Sequence, residues 1–80
     1  MKLVCGAGHS LILTHMNQMF SWGCNLLGQL GLGDNISRDK PTEVFALKDR
    51  FISDIASGAG HCMVLDSYGL VYSWGASADF

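Results

Sequence analysis

Proline occurs once in this chain, at Pro41, and only 15% of its 80 residues are charged. With an apolar fraction of 49%, that scarcity of charge excludes a disordered tail or a solvating linker. Positive charge is no more abundant. Five Lys and Arg residues face seven Asp and Glu, a net charge of −2, so no global positive field draws nucleic acid or an anionic membrane. Arg38, Lys40, Lys48 and Arg50 cluster, but Asp34, Asp39, Glu43 and Asp49 interleave with them and make a mixed, solvated surface. The three cysteines, Cys5, Cys24 and Cys62, form an odd set without close spacing. They exclude a dense disulfide framework and the paired-cysteine pattern of a zinc site, and read as buried thiols in a reducing compartment. No apolar run approaches the ~18 residues of a membrane span. The first residues resemble a leader, but His9 interrupts them and they match an internal segment, so they read as structure. The expected location is the cytoplasm or the nucleus. Asn35-Ile36-Ser37 fits the glycosylation acceptor pattern, which matters only in a secreted chain.

Glycine and repetition are what the chain has. Residues 3–23 align without gaps on residues 55–75, an offset of 52. Gly6, Ala7, Gly8, His9, Leu13, Ser21, Trp22 and Gly23 return as Gly58, Ala59, Gly60, His61, Leu65, Ser73, Trp74 and Gly75. Repetition at this period marks a propeller or stacked array, in which no unit buries its own apolar face. Ten glycines suit an all-β chain with tight turns.

The runs between glycines read as strands: Leu3–Cys5, His9–Thr14, Met19–Trp22, Thr42–Leu47, Ile52–Ala56, His61–Asp66 and Leu70–Trp74. Asn17 aligns with Gly69, and both residue types tolerate positive φ, so each copy supplies what a tight hairpin turn needs. Pro41 suits the first position of a strand. The expected organisation is an incomplete blade over 1–25, a connecting loop over 26–41, a complete antiparallel four-stranded blade over 42–75 and a truncated tail over 76–80.

The series Gly6-Ala-Gly-His9, Phe20-Ser-Trp-Gly23, Asn25, Gly28-Gln-Leu-Gly-Leu-Gly33 and Pro41-Thr-Glu-Val44 resembles the repeat of the regulator of chromosome condensation family. The resemblance covers nearly the whole chain as somewhat under two repeats, and implies part of a seven-bladed β-propeller. The second copy departs from the pattern at Ser77, and no Gly-Gln-Leu-Gly follows it. The family's founding member drives nucleotide exchange on the small GTPase Ran, so the resemblance implies protein partners, a small GTPase among them. Its exchange residues belong to blades that cannot be matched here, and none is transferred.

Most motif residues read as structural: Gly6, Gly8, Gly58 and Gly60 at sharp strand ends, Trp22 and Trp74 as rings between blades, and Gly23, Gly28, Gly31, Gly33 and Gly75 as further structural positions of the repeat. His9 and His61 recur once per unit, which suits imidazoles bonded to nearby backbone better than a catalytic base, needed only once. Gln29 is expected to tie its loop to the next blade through its side-chain amide. Gly28–Gly33 lacks the spacing, the Lys-Ser/Thr and the helix start of a phosphate loop. Ser21 and Ser73 lack a nucleophile elbow, and His61 and Cys62 point to opposite faces of one strand. No catalytic, cofactor or metal residue is assigned. Loops on a rigid scaffold carry binding, and the longest polar stretch nominates Asp34, Asn35, Arg38, Asp39 and Lys40 for partner contact. Two open blade faces and unpaired edges predict self-association, and a product without independent function is the further alternative.

Overall fold

Alternation along each strand sorts the chain into sheets with two distinct faces. The computed structural model describes residues 1–75 and is all-β there, with strands β1 (Lys2–Cys5), β2 (His9–Leu13), β3 (Met19–Gly23), β4 (Arg38–Glu43), β5 (Ile52–Ser57), β6 (His61–Asp66) and β7 (Val71–Gly75). They form two antiparallel sheets, β1-β2-β3-β4 and β5-β6-β7. The register repeats with the sequence. His9 opposes Gly23 and Leu11 opposes Ser21 in the first sheet, as His61 opposes Gly75 and Met63 opposes Ser73 in the second.

The four-stranded sheet is therefore the first one, spanning residues 2–43, and not the expected 42–75. The strand predicted at Thr42–Leu47 lies at Arg38–Glu43 and closes the first sheet against β3. Only Thr42 and Glu43 of the expected run belong to it, because the chain leaves the ladder after Val44, whose N–H donates to the Met19 carbonyl at 2.8 Å. The polar stretch Arg38-Asp39-Lys40 pairs because this is an edge strand with exposed side chains, and Pro41 is tolerated there for the same reason. The connecting loop accordingly runs over 24–37, and the tail at 76–80, Ser77 with it, lies outside the described residues.

One face of the first sheet packs on one face of the second. Leu11 and Met19 meet Ile52, Ile55, Cys62 and Val64 in a single core, flanked by Val4, Leu13, Tyr72 and Trp74. Both hairpin turns form as the aligned Asn and Gly require, with φ of 62° at Asn17 and 87° at Gly69. Asn17 also joins the sheets: its Nδ2 donates to the Arg50 carbonyl at 2.7 Å and its Oδ1 accepts from the Ile52 N–H at 2.9 Å.

Candidate functional site

The repeated motif residues gather at the seam between the sheets, and the loop over 24–37 leans on that seam. Asn25 organises the loop. It is fully buried, its Nδ2 reaches the carbonyls of Asp34 and Ile36 and the Asp34 carboxylate at 2.9–3.0 Å, and its Oδ1 accepts from the Leu30 N–H at 3.0 Å. Burying an amide is tolerable only when its hydrogen-bonding capacity is used in this way. Leu30 then fills the space beneath, and its carbonyl accepts from the Ser21 hydroxyl at 2.8 Å. Asn25 stands in the motif series, yet nothing in its sequence context separates a buried organiser from an exposed loop amide.

Gln29 links loop to second sheet through its backbone rather than its side chain, contrary to expectation. Its carbonyl accepts from Trp74 Nε1 at 2.9 Å and from the Cys62 thiol at 3.2 Å. The side-chain Oε1 stays local and accepts from the Leu27 N–H. Gly31 makes the approach possible: a Cβ there would lie 2.7 Å from two atoms of the Trp74 ring, and φ is 69°. Trp74 thus sits between the loop and the core shared by the two sheets. Trp22 is half-buried on the opposite face of the first sheet, away from this seam.

His9 lies at the centre of the seam, 2% exposed. Its Nε2 is 2.9 Å from Ser57 Oγ, whose hydroxyl has the carbonyls of Gly58 and His61 within reach at 3.1 and 3.3 Å. With the hydroxyl proton turned to a carbonyl, the imidazole donates from Nε2 and Nδ1 is left buried without a partner among the described residues. Burial pushes the His9 pKa down; backbone contact with His61 opposes this and the charge of His61 adds to it. Gly6 and Gly58 are needed less for turning than for these rings. A Cβ would lie 2.1 Å from His9 Cε1 at Gly6 and 2.2 Å from His61 Cε1 at Gly58, and neither has positive φ.

The nominated segment at 34–40 divides in two. Asp34 and Arg38 are committed to each other, with Arg38 donating to the carboxylate at 2.9 Å while Asp34 also accepts from the Ile36 N–H. The Arg38 guanidinium holds the Asp34 carboxyl below the usual carboxylate range. Asn35, Ile36, Asp39 and Lys40 are exposed. Cys62 is buried and its thiol is pushed up to about 11 by burial, a thiolate-disfavouring site. Cys5, by contrast, is exposed, against the expectation of buried thiols. Among the described residues no three His, Cys, Asp or Glu side chains group closely enough to hold a metal ion.

Two antiparallel sheets in matching register, related by the 52-residue repeat and joined by a glycine-braced loop that docks on the second, define a propeller-type repeat protein. The Regulator of chromosome condensation (RCC1) repeat matches residues 17–65, and a second model of that repeat matches residues 2–29, so the chain belongs to the RCC1 repeat family. It is 37% identical over 75 residues to Ras guanine nucleotide exchange factor C of Dictyostelium discoideum, covering 94% of this chain and 5% of that protein. Human WBSCR16 superposes with a TM-score of 0.92 at 29% identity, covering 98% of this chain and 20% of that one. Prp20p of Saccharomyces cerevisiae, studied for its binding to Gsp1p and histones, superposes with a TM-score of 0.83 at 31% identity over 96% of this chain and 18% of that one. The chain therefore spans a fifth or less of each of these relatives.

Proposed function

We propose that this repeat segment of an RCC1-like propeller is a protein-interaction module that meets its partner through residues 34–40. The observation that carries this reading is the bracing of the segment. Asn25, Arg38 and the Ile36 N–H all converge on Asp34, so Asn35 and Ile36 project from a loop whose backbone is already fixed, and Asp39 and Lys40 from the edge strand β4 that continues it. Fixing a loop before binding lowers the entropy cost of association. The test is capture of partner proteins by the chain and by a variant carrying Ile36→Asp and Lys40→Glu. Capture lost with the β spectrum intact supports the reading; equal capture overturns it.

A second reading is participation in nucleotide exchange on a small GTPase, supported by the likeness to a Ras exchange factor and to a protein that binds Gsp1p. Exchange displaces nucleotide by binding, without covalent chemistry in the exchange factor. Release of labelled GDP from Ran-type and Ras-type GTPases tests it, and an unchanged release rate rules it out for these residues.

A further inference from the structure

The two sheets are related by the 52-residue repeat, and the seam between them joins unlike faces. The first sheet contributes Leu11, Leu13 and Met19; the second contributes Ile55, Val64, Tyr72 and Trp74. Translating each set by the repeat gives the outward faces. Leu11, Leu13 and Met19 become Met63, Leu65 and Val71, which are 41%, 38% and 58% exposed. Ile55, Val64, Tyr72 and Trp74 become Leu3, Ile12, Phe20 and Trp22; Leu3 is 55% exposed and the others are half-buried. Strand pairing confirms the sides, since Ile12 opposes Phe20 on one face while Met63 opposes Ser73 and Leu65 opposes Val71 on the other. Each outward face thus carries the residue types that the other face's counterpart already packs against inside the chain.

Charge repeats in the same way. Lys2 and Asp54 occupy equivalent positions and form an ion pair across the seam. Both remain about half exposed. A copy placed by the same operation would bring its Lys2 beside this chain's Asp54, opposite in sign.

We infer that the chain associates head to tail with a second copy of itself, laying Leu3, Ile12, Phe20 and Trp22 of one copy on Met63, Leu65 and Val71 of the next. The interface is heterologous, because the two surfaces differ, and so it passes from copy to copy, as a closed ring or an open series according to the rotation between copies, instead of stopping at a two-fold dimer.

Sedimentation velocity on three chains decides the matter: the unaltered chain, Val71→Lys and Leu3→Lys, each charge placed at an exposed position. The unaltered chain is expected to grow in size with concentration, and each variant to remain monomeric alone. An equimolar mixture of the two variants is expected to give a one-to-one dimer, since each retains the surface that the other lacks. Far-UV spectra verify folding, and the milder pair Leu65→Ser and Ile12→Ser replaces any variant that does not fold. An unaltered chain that stays monomeric, a variant that pairs with itself, or a mixture that forms no dimer each overturns the inference.

Discussion

Replacing Gly31 by alanine tests whether the loop and the second sheet are joined as described. Two costs fall on this substitution. The first is conformational, because φ of 69° is left-handed and a Cβ there costs ~1–2 kcal/mol. The second is steric, because the new atom would lie 2.7 Å from Trp74 Cε2 and Nε1. Relief requires the indole to withdraw, and its hydrogen bond to the Gln29 carbonyl, worth ~1 kcal/mol net, goes with it. Gly33→Ala is the matched control: φ is 86°, yet nothing lies within 4 Å of the new carbon. We expect Gly33→Ala to cost ~1–2 kcal/mol and Gly31→Ala ~3 kcal/mol, the difference being the contact with Trp74. Urea unfolding followed by far-UV circular dichroism at low protein concentration measures both. The same pair in a Trp74→Ala background isolates the cause, since without the ring the two alanines should cost the same. Equal costs with Trp74 present, or an excess that survives its removal, would refute the argument.

Three further outcomes follow from the seam and the loop. His9 has a lowered pKa in the folded chain, so the unfolded chain binds more protons below the ordinary value of 6.5. Stability is full above that pH and falls on acidification toward the folded pKa, by at most ~1.4 kcal/mol per pH unit for one proton; urea midpoints from pH 8 to 5 should show this slope and His9→Gln should lessen it. Asn25→Ala leaves the Leu30 N–H and the Asp34 carbonyl without their partner, while the Ile36 carbonyl keeps Arg38, a loss of ~2–4 kcal/mol; faster amide exchange at Leu30 by NMR is the specific sign. Alkylation at pH 8 read by mass spectrometry should label exposed Cys5 first and Cys62 last, because a thiol with a pKa of about 11 supplies little thiolate.

The parts of this architecture written in side chains could be read from the sequence, and those written in backbone could not. The hairpin turns were legible because two copies independently placed Asn17 and Gly69 at one position. The strand β4 was not, since Arg38-Asp39-Lys40-Pro41 has the composition of a loop and pairs only because the edge of the first sheet was open to it. The apolar Val44-Phe45-Ala46-Leu47 drew the prediction away, although Phe45 and Ala46 are exposed. Gln29 shows the same limit. Its side chain suggested the link to the next sheet, but its carbonyl makes it, and every residue has a carbonyl. Of the nominated contact residues, the pairing of Asp34 with Arg38 four positions on could be anticipated from charge; their anchoring by a buried Asn25 depends on the fold of the whole loop.

The seam also bears on how such a chain can lengthen or shorten over evolutionary time. Several of its fittings, the His rings over Gly6 and Gly58 and the indole of Trp74, whose counterpart Trp22 stands on the outward face of the first sheet, belong to the set that recurs every 52 residues. Copying or excising one whole period in frame would therefore bring together surfaces already shaped for each other, whatever the point of the cut. A change of any other length would set a side chain where Gly31 leaves room for an indole, or move Asn17 off the turn that reaches Arg50 and Ile52. The joint thus acts as a ruler, passing gains and losses of complete periods and rejecting the rest.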